Sequence, residues 1–276
     1  MSSLSNKIDV EIHHPETWRL SLRIDSGSVC FVAHSEVERD SLMSTTLALD
    51  GGNDDYLRSL ENCIYDNPFF LLDFKRVDIA VTSMRFMVLP GEMSDEASRQ
   101  AWEALYGREQ GGDVVVDTLL TCGVKIAFEV PKGVLSFLNR TFNNPPVRHH
   151  LSAVCEHFAE KCANTGVGKE FVYFHDGRAD VMVYLRGKFA FANSFVCENA
   201  DDATFYILGV WNEYALNVYN DELQIAGDKR MREVVAPALR KYVTYVMPVI
   251  FPAAAMRIGL DAMKAPFDLI LMSLCE

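Results

Sequence analysis

Apolar and polar positions alternate near the start of the chain. Trp18, Leu20, Leu22 and Ile24 recur every second residue, which puts all four on one face of a strand. Asp25-Ser26-Gly27-Ser28 supplies turn chemistry and Val29 to Ala33 is a second apolar run, so a β-hairpin is predicted. Residues 41–49 predict a third strand. Asn53-Asp54-Asp55 then offers caps for a helix whose apolar stripe is Tyr56, Leu57, Leu60 and Ile64, and Asp66-Asn67-Pro68 ends it. Strands over 77–82 and 86–89, a helix over 95–106, a Gly-rich loop over 107–113, a strand over 125–130 and a helix opening at Pro131 follow. A helix over 151–163 leads to Asn164-Thr165-Gly166-Val167-Gly168, which reads as a flexible linker.

The pattern then recurs. Strands are predicted over 170–175, 179–185 and 189–196, with turns at Asp176-Gly177 and Arg186-Gly187-Lys188. Asn199-Ala200-Asp201-Asp202 caps a helix carrying Phe205, Leu208 and Trp211. A strand over 223–226, ended by Gly227, precedes a helix from about 229 to 242. Three strands, a capped helix, a strand and a helix therefore occur twice, and a duplicated α/β unit is the expected architecture. Val77 to Val81 answers Leu223 to Ala226, although few letters match between the halves.

Composition narrows the class. The chain has 276 residues, 49% of them hydrophobic, which suffices for one large domain or two of ordinary size. A net charge of −12 repels phosphate backbones and anionic lipid heads, so nucleic acid is not an expected partner. Seven scattered cysteines, none spaced as C-x-x-C, point to free thiols in a reducing compartment and hence to the cytoplasm. The opening residues show no signal-peptide pattern, and the apolar run over 243–256 is too short to span a bilayer and holds Pro248 and Pro252. It is expected to be a buried C-terminal segment, and no membrane insertion is expected.

The order of these elements resembles the actin-like ATPase fold, which pairs two ribonuclease-H-like lobes. More closely, the chain is similar to an uncharacterised bacterial family with that fold. The resemblance rests on Leu20 to Ile24 with Gly27, Phe86-Met87-Val88-Leu89-Pro90, Lys188 to Phe195 followed by Asp201 to Leu208, Glu222 to Gly227, and Phe251-Pro252. It implies two lobes, each a mixed five-stranded sheet flanked by helices, with residues 15–164 forming the first lobe and its linking helices and 165–276 the second lobe and a C-terminal tail. It also implies a cleft where two acidic, Gly-bearing hairpin turns would cradle the phosphates and Mg²⁺ of ATP and a later Gly-Gly turn would contact the adenosine.

The positions that answer to that cleft are Asp25, Gly27 and Ser28 in the first turn, Asp176 and Gly177 in the second, and Gly227 in the third. Only the first keeps the expected letters; the second lacks the Asp-x-Gly pattern and the third is a single glycine followed by Asp228. The favoured expectation is a non-catalytic scaffold that binds a protein partner and has lost its nucleotide, with no catalytic residue and no cofactor. The alternative is an ATP- and Mg²⁺-binding protein with slow or regulatory hydrolysis.

Other clusters are read as structural. Gly166-Val167-Gly168-Lys169 fails the P-loop pattern at Ala163 and Glu170. His149, His150, Cys155, His157 and Cys162 crowd one helical region without a standard zinc spacing, so buried thiols, solvated histidines and no metal are expected. His175 and Asp176, adjacent on a strand, should point to opposite faces and form no dyad. Phe189, Phe191, Phe195, Phe205, Tyr206 and Trp211 are expected in the core.

Overall fold

The computed structural model describes residues 8, 12–50, 56–107 and 111–274; the predicted cap Asn53-Asp54-Asp55 lies outside them. The opening hairpin is β1 (Trp18–Ile24) and β2 (Ser28–Ser35), followed by β3 (Met43–Ala48), α1 (Tyr56–Tyr65) and β4 (Arg76–Val81). With β8 (Val147–His149) these strands form a sheet in the order β3-β2-β1-β4-β8, in which β1 is antiparallel to β2 and parallel to β4. Leu20, Leu22 and Ile24 are buried as the alternation predicts, but Ser21 and Arg23 on the other face are buried too. This sheet is covered on both sides.

Between β4 and β8 lies an insertion. It comprises β5 (Phe86–Pro90), α2 (Asp95–Tyr106), β6 (Asp113–Leu119), β7 (Val124–Val130) and α3 (Val134–Thr141), and its strands form a separate antiparallel sheet in the order β5-β7-β6. Strand β6 begins at Asp113, the last residue of the expected 107–113 loop, and carries Val114-Val115-Val116, for which the sequence pattern predicts no strand. In α2, Ser94 caps the N-terminus by accepting from the Ala97 amide, and the Trp102 indole donates to the Arg85 carbonyl at 3.0 Å. The Arg85 guanidinium lies 5.4 Å from the ring centres of both Trp102 and Tyr106.

After α4 (Ser152–Cys162) the plan repeats. Strands β9 (Lys169–His175), β10 (Arg178–Leu185) and β11 (Lys188–Val196), helix α5 (Ala200–Glu213), β12 (Glu222–Gly227), α6 (Lys229–Leu239) and β13 (Tyr245–Pro248) follow. Their sheet runs β11-β10-β9-β12-β13, the order of the first sheet element for element. Ile24 faces Val81 across the parallel pair of the first sheet, as Phe174 faces Gly227 in the second, so Val77 and Leu223 do occupy equivalent positions. Asn199 caps α5 by accepting from the Asp201 and Asp202 amides. The predicted flexible linker is pinned: the Gly168 amide donates to Asp221 Oδ1 at 2.6 Å, and a Cβ on Gly168 would meet Leu216 at 2.5 Å.

The remaining helices, α7 (Ala255–Ile258) and α8 (Phe267–Leu274), form the tail. The run over 243–256, expected to be one buried segment, is divided: β13 pairs with β12, Ile250 and Met256 are exposed, and Ala255 is buried; beyond the run, α8 is buried. Helix α8 packs on β1 and β2 of the first sheet, while α4 packs on β10 and β11 of the second. Each helix that follows the last strand of one sheet thus covers the other sheet. Phe158 of α4 stacks on Phe171 of β9 with ring centres 3.8 Å apart, and α4 and α8 also touch each other. This exchange buries one face of each sheet between the halves, and there the candidate site lies.

Candidate functional site

The site is built around Arg23, which β1 carries on the face opposite Leu22 and Ile24. Its side chain is 3% exposed. Its Nε donates to Asp25 Oδ2 at 3.0 Å, its Nη1 to Asp268 Oδ2 at 2.7 Å, and its Nη2 to Asp176. Asp25 belongs to the first hairpin turn, Asp176 to the second, and Asp268 to α8. One guanidinium therefore joins three segments. Arg178 reaches back across the halves and donates to Asp25 Oδ1 at 3.2 Å, and Tyr173 donates to Asp268 Oδ1 at 2.7 Å.

Such burial of charge needs full pairing. Burial works against the Arg23 charge, but Asp268, then Tyr173 and the carboxylates of Asp25 and Asp176, outweigh it, and Arg23 stays firmly protonated. Asp268 is held below the usual carboxylate range: burial opposes this, and the charge of Arg23 prevails. For Asp176, burial is likewise overcome by the hydrogen bond from His175 and the charge of Arg23, which bring its pKa to about 2.

The network continues through His175. Its Nδ1 is 3.1 Å from Asp176 Oδ2 and its Nε2 is 2.8 Å from Asp180 Oδ2. The expectation that His175 and Asp176 point apart is overturned, because the chain leaves the strand at Asp176, in the left-handed region at φ 45°. With Gly177 at φ 71° this forms the tight turn that Asp-Gly favours. Burial disfavours the charged His175 ring, but the Asp180 charge and the bonds to Asp176 and Asp180 dominate, raising its pKa to about 9.

His149 and His150 are not solvated, as the sequence reading expected, but buried, because β8 carries His149 into the sheet and His150 follows it. Burial, then the proximity of His150, keeps the His149 ring neutral; its Nε2 donates to the Ser83 carbonyl at 3.0 Å. His150 precedes α4, so it does not share a helical face with His157. Cys155 and Cys162 are buried thiols, as expected.

The predicted cleft positions divide. Asp25 and Asp176 are brought together by Arg23. Asp176 and Gly227 line a cavity of about 820 Å³ between the halves, with Arg23, Tyr173, Lys229 and Arg232 also in its wall, while Asp25, Gly27 and Ser28 are not in that lining. Ser28 opens β2, and its carbonyl accepts from the Asp25 amide at 2.9 Å. A Cβ on Gly27 would meet nothing, so no close approach demands glycine there. Gly227 is required by packing: its φ is +87° and a Cβ would stand 1.9 Å from the Phe174 carbonyl oxygen. Asp228 caps α6 by accepting from the Met231 amide. Sequence reasoning missed Arg23 and Asp268. The signal for Arg23 was a cation on the polar side of a strand flanked by apolar runs; Asp268 sits in a tail with no pattern linking it to β1.

Of the aromatic group expected in the core, Trp211 is buried, but Phe205 is 73% exposed on α5 and Val196 is exposed at the end of the edge strand β11. Phe195 and Tyr206 stack beside them at 4.7 Å.

Residues 7–246 match the family described as "Protein of unknown function (DUF3822)". The chain belongs to that family. A solved protein with actin-like ATPase fold and unknown function from Bacteroides thetaiotaomicron VPI-5482 is similar at 22% identity, covering 95% of this chain and 97% of that chain with a TM-score of 0.77. The PilM-PilN type IV pilus biogenesis complex is similar at 13% identity, 94% and 99% coverage and a TM-score of 0.57. No curated protein matches the chain. The family member has the actin-like ATPase fold, an α/β architecture with two mixed five-stranded sheets flanked by helices. No helix among the described residues is long and apolar enough to cross a membrane.

Proposed function

We infer that this family member is a non-catalytic, clasped form of the actin-like fold that acts as a scaffold for a protein partner. Residues 15–164 and 165–276 are its two lobes. The observation that carries this reading is the Arg23 clasp. A nucleotide-binding cleft of this fold would need the turn carboxylates to hold Mg²⁺, usually through water. Here each oxygen of Asp25 already accepts from an arginine, and Asp176 is shared between Arg23 and His175. A fixed guanidinium stands among the carboxylates, so a divalent cation would have to break buried ion pairs to enter. The donors present do not fit a Mg²⁺–phosphate grip.

A scaffold works through its surface. Val196 ends β11, which has no partner strand on its outer side among the described residues, and Phe205 of α5 adjoins Tyr206, which stacks on Phe195 of β11; together they offer exposed apolar area near open backbone groups, the features of a docking face. PilM, of the same fold, is described in a complex with PilN, which fits such a use. The six described cysteines are free thiols, which supports a cytoplasmic setting.

A second reading has its own support. The 820 Å³ cavity beside Asp176 and Gly227, with Lys229 and Arg232 in its wall, has room for a nucleotide. Thermal unfolding with and without millimolar Mg-ATP separates the two. A ligand at about 100 times its Kd adds about 2.7 kcal/mol to the folded state. The clasped scaffold predicts no shift in Tm and no phosphate release. A rise in Tm that disappears in Arg232→Glu would replace it with the nucleotide reading.

A further inference from the structure

Next to the arginine clasp, three buried side chains converge that a scaffold role leaves unused. His150 follows β8 of the first sheet, His175 ends β9, and Asp180 lies in β10 of the second. One ligand atom from each lies within 4.8 Å of the others, and all three residues are buried. We propose that His150, His175 and Asp180 form a divalent-metal site of the zinc class that ties the first sheet to the second.

Four features carry the assignment. The first is His150, which is 2% exposed and has neither ring nitrogen in a hydrogen bond. Its Nε2 comes no nearer than 3.5 Å to Asp180 Oδ1, and a buried polar group held so loosely costs folding free energy that a metal ion would recover. The second is spacing. His175 Nε2 stands 2.8 Å from Asp180 Oδ2 and His150 Nε2 3.5 Å from Asp180 Oδ1, so the carboxylate lies between the two rings. Ligands on a tetrahedral zinc at about 2.0–2.1 Å stand roughly 3.3 Å apart, and the three ligand atoms here lie within 4.8 Å of one another, so small side-chain movements would close them on one ion.

The third is the outer shell. Asp176 Oδ2 anchors His175 Nδ1 at 3.1 Å, so Nε2 would coordinate, the ion displacing the proton that Nε2 now shares with Asp180 Oδ2 at 2.8 Å, and Ser194 Oγ donates to Asp180 Oδ1 at 2.6 Å. Metal-bound histidines and carboxylates are characteristically held this way. The fourth is the donor set. Two imidazoles and one carboxylate suit zinc, whereas magnesium and calcium take oxygen ligands. His175, alone of the three, also lines the 820 Å³ cavity, which gives the ion a path in.

The test uses the full chain, stripped with a chelator and titrated with ZnCl₂ and, separately, CoCl₂. The expected result is one ion per chain by elemental analysis, a rise in Tm with zinc, and visible ligand-field bands with cobalt. His150→Phe removes no hydrogen bond and keeps an aromatic ring, so it is expected to fold. It should weaken zinc by more than the roughly 10–100-fold typical of an outer-shell change, which Ser194→Ala should show. If His150→Phe fails to fold, the stoichiometry and cobalt bands of the unaltered chain decide. Failure of the unaltered chain to take up one ion, or uptake undiminished in a folded His150→Phe, would overturn the site. A His150→Phe chain with raised Tm and an unaltered chain indifferent to zinc would mark His150 as a packing residue only. None of these outcomes touches the Mg-ATP result.

Discussion

Strands β1 and β9 hold the same place in two sheets of the same order, yet they bury different chemistry. The paired registers set Ile24 against Phe174, so Arg23 answers Tyr173 and Leu20 answers Glu170. Arg23 and Tyr173 converge on one acceptor, Asp268 of the exchanged helix α8. The first half reaches it with a charge that also grips Asp25 and Asp176; the second uses a phenol whose ring stacks on His175 at 4.8 Å. Leu20 and Glu170 are both fully buried, but both Glu170 oxygens lack a hydrogen-bond partner. Val81 likewise answers Gly227, which alone allows β12 to approach Phe174 so closely. Repetition of topology fixed where these residues sit and left their chemistry free to diverge.

The comparison breaks most visibly at Arg23. Arg23→Leu leaves Asp268 and Asp25 buried without their main partner and should cost about 3–5 kcal/mol, read by urea unfolding. A loss below 1 kcal/mol would mean that the clasp does not hold the halves together. Gly227→Ala comes next. Left-handed strain of about 1–2 kcal/mol and overlap with the Phe174 carbonyl should together cost at least about 2 kcal/mol, whereas Val81→Ala, a side-chain truncation at the equivalent site, should cost about 1–2.5 kcal/mol without strain. The same unfolding experiment compares them.

Glu170→Leu sharpens the comparison in the opposite direction by giving the second sheet the residue of the first. Burial alone pushes the Glu170 carboxyl well above its ordinary value of 4.5, so the folded chain holds its proton more tightly than the unfolded chain. Stability is therefore full below that ordinary value and is lost as pH rises towards the raised one. Glu170→Leu should stabilise by about 1–3 kcal/mol at neutral pH and by less near pH 4.5. Unfolding at several pH values measures that slope, and a gain that grew on acidification would refute it. The smallest effect concerns α5: Asn199→Ala removes the cap that accepts from two amides and should cost about 1 kcal/mol by thermal unfolding.

Much of the fold was legible because short-range rules wrote it. Alternation in β1, the apolar run of β2, the Asp-Gly turn, the capped α5 and the 95–106 helix followed from period, turn chemistry and capping, and their order implied the duplication. The strands not assigned from sequence were β6, β8 and β13. The last two have only three and four residues and pair in parallel with a strand distant in the chain, β13 across α6 and β8 across the whole insertion, so no local period marks them. Phe205 carried a core-like letter but faces solvent, since composition does not say which side of an amphipathic helix is covered.

The sequence by itself therefore determined the elements, the repeat and the acidic hairpin turns, since each depends on residues within a few positions of one another. Only the tertiary structure decided what those turns do. Arg23 meets Asp268 across 245 positions, and Asp25 meets Arg178 across 153, because the helices after β8 and β13 cross to the opposite sheet. Pairing of buried charge over such distances is selected by desolvation, which acts only once both faces have closed, and no local pattern along the chain records it.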